Sequence, residues 1–180
     1  MSQLKNVKVL TTCALLLALA TILGFFKIPI TQLIEIRFSS LPIAFGGAMF
    51  GPAIGALIGA LADILQYLVK PTGPYFPGFT ISSLVGGIIF GFTLRIRNGR
   101  ITIFKCMVAQ LLYTIIVGLL INTLNLYILY GDPTTQGVAG YFAYMATRLP
   151  KEAIMYPINT GILYAITRVI PWGRIDFIRK

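Results

Sequence analysis

Uncharged stretches long enough to cross a lipid bilayer constrain this chain more than any other feature of its sequence. Residues 7–26 carry no charge after Lys8, and a spanning helix needs about 20 mostly apolar residues to cover a hydrocarbon core of about 30 Å. Helices suit the bilayer because they satisfy their own backbone N–H and C=O groups. Five more apolar runs follow, over 41–50, 53–69, 79–94, 106–130 and from near Lys151 to Ile170. The run at 41–50 is too short to span alone and leans on Gly46, Gly47 and a bend. The pattern predicts an all-α membrane protein, with six transmembrane helices and ordered extracellular loops in one domain over residues 1–180.

Helix breakers set the boundaries. Lys27-Ile28-Pro29 ends the first run, and Gly51-Pro52 divides the second from the third. Between Lys70 and Gly78 the prolines Pro71, Pro74 and Pro77 and the glycines Gly73 and Gly78 exclude a continuing helix and predict a turn-rich loop. Gly131-Asp132-Pro133 opens a polar loop, residues 141–149 are expected as a short helix along the membrane face, and Pro171 and Trp172 are expected at an interface.

Charge supports this reading and gives it a direction. Only 11% of the 180 residues are charged, against about a quarter in a soluble domain, so the apolar excess must face membrane lipid. The net charge of +10 does not point to nucleic acid, because the basic residues are scattered at the ends of apolar runs and form no single patch. Six crossings place both termini and the 95–105 loop on one side. That side holds Lys5, Lys8, Arg95, Arg97, Arg100, Lys105, Arg168, Arg174, Arg179 and Lys180, the larger share of the Lys and Arg. Both termini are therefore expected to be cytoplasmic. The first run follows Lys5 and Lys8 but precedes no polar mature domain, so it is not expected to be a cleaved leader.

Catalysis is poorly served. Histidine is absent, which removes His-based triads and His-ligated metals. Cys13 and Cys106 lie within apolar runs at no metal-knuckle or disulfide spacing. No GxxxxGK[ST] phosphate loop is present, and no nucleophile stands beside a base. The expectation is a protein that is not an enzyme and holds no metal or cofactor.

Binding is better served, because polar groups inside a bilayer are costly and mark sites or interhelical contacts. The helix ends opposite the termini collect Arg37, Gln66, Lys70, Tyr75, Phe76, Phe79, Thr80, Asn122, Asn125, Arg148 and Lys151. Aromatic walls, hydrogen-bonding groups and cations on one face suit a planar aromatic ligand bearing carboxylates, with arginine offering a bidentate fork. Lys70 and Lys151 have an alternative role as snorkelling interface residues. Asp63, the one acid deep in a span, either accepts adjacent N–H donors of a pterin-like ring, pairs with a neighbouring helix or caps Arg37. Asn122 and Asn125 share a face one turn apart and point either at a pocket or across helices. Small residues recur as Ala14 and Ala18, as Gly51, Gly55 and Gly59, and as Gly87 and Gly91, a spacing that allows close helix approach in lipid. The alanines could instead face a partner.

The segment Ile36-Arg37-Phe38-Ser39-Ser40-Leu41-Pro42-Ile43-Ala44, with Phe50-Gly51-Pro52, Gly55-Ala56-Leu57 and Ala62-Asp63-Ile64-Leu65, resembles the S components of energy-coupling-factor (ECF) transporters. Lys70 to Thr80, including Pro77, Gly78, Phe79 and Thr80, resembles the loop of the folate-specific members. Arg148-Leu149-Pro150-Lys151 fits near the last helix, and Ala14 and Ala18 match the AxxxA pattern used to dock a transmembrane partner. The resemblance covers nearly the whole chain. It implies a cell-membrane protein that captures folate outside the cell and works with a transmembrane coupling subunit and two cytoplasmic ATPases. The alternatives are an S component for thiamine, pantothenate or a pyrimidine precursor, a small intramembrane enzyme using Asp63, and an assembly subunit without a ligand.

Overall fold

The computed structural model describes residues 6–26, 28–29, 35–36, 38–71, 74–95, 101–131 and 133–169. Arg37, Trp172, Lys5, Lys27, Arg97, Arg100, Arg174, Arg179 and Lys180 lie outside the described residues. Within them the chain forms six helices: α1 (Val7–Phe25), α2 (Ser40–Phe50), α3 (Pro52–Val69), α4 (Pro77–Thr93), α5 (Ile103–Tyr130) and α6 (Pro133–Val169). A short antiparallel pair, β1 (Ile28–Pro29) and β2 (Glu35–Ile36), lies between α1 and α2. By length and composition α1, α3 and α5 can each cross a bilayer, while α2 and α4 are shorter apolar helices.

Several boundaries differ from those expected: α5 opens at Ile103 rather than Cys106, and Pro133, expected in a polar loop, opens α6. Helix α4 opens at Pro77 rather than Phe79, because proline fits a first helical turn, where its missing N–H would have no partner. Residues 141–149 do not form a separate helix: they belong to α6, which continues through Pro150 and Pro157. Gly137, with φ 50° and ψ −144°, is not helical and kinks α6 into two helical segments, with residues 141–149 in the second. Gly51, with φ 93°, stands alone between α2 and α3, a left-handed turn that costs glycine no Cβ clash.

Helices α3 and α4 run antiparallel along a seam of small residues. A Cβ at Gly55 would stand 2.6 Å from the Gly87 carbonyl oxygen, one at Gly59 would strike the Ser83 carbonyl, and one at Gly91 would strike the Pro52 backbone. Helix α2 joins at Gly47, where a Cβ would lie 2.8 Å from the Gly91 nitrogen. The glycine spacing therefore serves packing inside this bundle, backbone against backbone. Around the seam Phe45, Ile54, Ile58 and Phe90 form a core that also takes Val9, Cys13 and Ala20 from α1, Cys106 and Ala109 from α5 and Leu163 from α6. Ala14 and Ala18 lie on the exposed side of α1, beside Leu15, Leu19 and Ile22.

Candidate functional site

A partly open cavity of about 570 Å³ occupies the end of the bundle where α1, α3 and α5 finish and α2 and α4 begin. The glycine seam does not reach this end, and side chains replace backbone contacts there. Gly24 of α1 leaves the room that the Gln66 side chain fills.

The end of α3, the start of α4 and Tyr75 and Phe76 between them form an aromatic wall. Tyr67 and Tyr75 meet with centroids 5.0 Å apart at 56°, and Phe76 meets Phe79 edge-on at 6.1 Å, arrangements that the aromatic quadrupole favours. Beside this wall Thr80 Oγ1 donates to Asp63 Oδ2 at 2.8 Å, and Tyr75 Oη lies 3.0 Å from Thr80 Oγ1. Below, Asn125 Nδ2 donates to Ser82 Oγ at 3.0 Å, and Ser82 Oγ donates to the Gly78 carbonyl at 2.9 Å.

The opposite wall comes from α5 and α6. Residues Tyr113–Ile121 of α5 are wound as a π-helix, a rare winding that occurs often at functional sites. Tyr113 stacks on Phe90 at 4.9 Å, and Tyr113, Val117, Gly118 and Asn122 line the cavity. Helix α6 contributes Arg148, Lys151, Glu152, Met155 and Asn159. Lys151 Nζ contacts Glu152 Oε1 at 2.8 Å and Arg148 Nη2 lies 3.8 Å from the same oxygen. Arg148 is 5% and Glu152 7% exposed. Two cations and one carboxylate thus line the cavity side by side, and arginine and lysine are the side chains that meet a ligand carboxylate by charge-assisted hydrogen bonds. Gly118 makes space for the acid, since a Cβ there would stand 2.9 Å from Glu152 Oε2.

Most of the residues expected at the site meet in this cavity: Asp63, Gln66, Lys70, Tyr75, Phe76, Phe79, Asn122, Arg148 and Lys151 all line it. Pro77, Gly78 and Thr80 instead form the first turn of α4 behind the wall. Gly78 packs against the Asn125 side chain. The two asparagines divide their roles, Asn122 lining the cavity and Asn125 bonding across to α4. Arg37 lies outside the described residues. Sequence reasoning missed Glu152, Gln110, Tyr113 and Asn159. Glu152 had a usable signal one turn from Arg148, and Gln110 and Asn159 are polar residues in apolar runs, which mark such sites.

Residues 8–167 match the family described as ECF transporter, substrate-specific component. The folate transporter FolT of Clostridium novyi (strain NT) is 34% identical over 98% of this chain and 96% of its own length. FolT of Leuconostoc mesenteroides is 24% identical over 84% of this chain and 80% of its own. The riboflavin transporter RibU of Staphylococcus aureus (strain TCH60) is 29% identical over 96% of this chain and 93% of its own. A crystal structure of FolT bound with folic acid superposes with a TM-score of 0.76 at 29% identity, covering 87% of this chain and 92% of that one.

Proposed function

Because this chain belongs to the substrate-specific components of ECF transporters, we propose that it binds folate in the cavity between α3, α4, α5 and α6 and delivers it across the cell membrane. It is a multi-pass membrane protein and a transport protein, not an enzyme. The observation that carries the folate reading is its likeness to FolT over nearly the whole chain. Cavity chemistry agrees with it. Folate joins a fused ring with N–H donors to an aromatic linker and a glutamate with two carboxylates. Arg148 and Lys151 take the carboxylates, Tyr75, Phe76 and Phe79 pack against the rings, and Gln66, Asn122 and the Asp63 carboxylate hydrogen-bond polar edges. The α4 residues Pro77, Gly78 and Thr80 support the site from behind the aromatic wall, and Arg37 is proposed from the sequence as a further substrate-binding residue.

The likeness to RibU raises riboflavin as a second ligand. Riboflavin has no carboxylate to pair with Arg148 and Lys151, so these two cavity-lining cations favour folate. On this reading the chain has no nucleotide chemistry of its own. It works with a transmembrane coupling subunit and two cytoplasmic ATPases, docking through the Ala14–Ala18 face of α1. Its cavity opens outside the cell and its termini are cytoplasmic. The test is calorimetric titration of the detergent-purified chain with folate, riboflavin, thiamine and pantothenate. Submicromolar binding of folate alone is expected; binding of another vitamin with no response to folate overturns the ligand assignment.

A further inference from the structure

We infer that Thr80 is a positioning residue: it aims the Asp63 carboxylate into the cavity and couples it to the α3–α4 link through Tyr75. Thr80 does not line the cavity, whereas Asp63 and Tyr75 do. A threonine hydroxyl has one proton to give. That proton goes to Asp63 Oδ2 at 2.8 Å, so the 3.0 Å contact with Tyr75 must be a hydrogen bond donated by the phenol. The three groups thus form a directed chain from Tyr75 to Thr80 to Asp63, ending on a carboxylate. Hydrogen bonds to a carboxylate are the strong ones, and this bond fixes one oxygen of Asp63 while the residue still borders the cavity. Tyr75 is held at its other face by Tyr67 of α3. The link between α3 and α4 is therefore anchored to the same acid that meets the ligand.

The inference rests on the reading that Asp63 contacts folate, and the experiment separates the two. Folate affinity is measured for the wild type, Thr80→Val, Thr80→Ser, Asp63→Asn and the Thr80→Val/Asp63→Asn double variant. Thr80→Val keeps the shape and removes the donor, and about a tenfold loss of affinity is expected from one hydrogen bond to a charged group. Thr80→Ser restores binding. In the double variant the Thr80 change adds nothing to the Asp63 loss, the non-additivity expected of groups in one network. A residue with a purely structural role would instead lower affinity equally in both backgrounds, and that result overturns the inference. So does unchanged affinity in Thr80→Val beside an impaired Asp63→Asn. If Asp63→Asn itself binds folate normally, the placement of Asp63 on the ligand fails and takes the inference with it.

Discussion

Arg148→Ala tests whether the cations of α6 recognise carboxylates or only support the helix. Arg148 lies 3.8 Å from Glu152 Oε1, beyond hydrogen-bond reach, whereas Lys151 sits at 2.8 Å. Removing Arg148 leaves Glu152 with its nearer cation, Lys151, so that contact is kept. The loss that remains is a charge-assisted hydrogen bond to a ligand carboxylate, about 1.5–3 kcal/mol. At 1.4 kcal/mol per decade this weakens binding by roughly 10- to 150-fold. The assay is calorimetry with folate, and displacement titration with 6-methylpterin, which has the ring and no carboxylate. Folate affinity should fall within that range and 6-methylpterin affinity should not change. Arg148→Lys should fall between, since an ammonium keeps the charge and loses the fork. Equal losses for both ligands would refute the assignment, because the residue would then act through the fold.

Lys151→Ala removes the closer partner of Glu152 and leaves the cation at 3.8 Å, so it should lower the melting temperature in detergent more than Arg148→Ala does. Gly87→Ala drives a Cβ into the Gly55 backbone, and overpacking of this kind costs about 1–3 kcal/mol; an unchanged melting temperature would show that the seam yields. Ala14→Trp and Ala18→Trp, on the exposed side of α1, should leave folate binding intact and impair uptake into cells. Normal uptake in both would remove that face from partner docking.

Apolar runs and their breakers carried most of the fold, because membrane spans announce themselves through length and missing charge. The second run is short in sequence, and α2 is correspondingly a short apolar helix. Helix α6 was harder: Pro150 reads as a boundary in sequence, yet the helix passes through it. In a bundle, neighbouring helices and side chains can satisfy the groups that a proline frees. The cavity's outer residues were legible as polar and aromatic groups near helix ends. Its floor was not, because Gln110, Tyr113 and Asn159 sit in mid-helix, where only the packing of other helices tells a cavity wall from a buried contact. Glu152 stands one helical turn from Arg148, so its pairing was legible, but its place on the cavity wall was not. Its role depends on Gly118 of α5, which no sequence spacing connects to it.

Glycine placement links the solid end of the bundle to the hollow one. Along α3 and α4 the successive rungs are Pro52 with Gly91, Gly55 with Gly87, and Gly59 with Ser83, all close backbone approaches. The next rung is Asp63 with Thr80, where a hydroxyl–carboxylate hydrogen bond replaces the backbone contact. The cavity borders that rung. Asp63 therefore stands on a crossing whose spacing is set by atoms without rotamers, which is how a binding group is held in place before its ligand arrives. The cation wall follows the same logic, since Gly118 lets Glu152 approach α5 while the acid holds Lys151 and faces Arg148. Small residues thus set the helix spacing at the Asp63 rung and the room that Glu152 takes beside α5, as well as how tightly the helices pack.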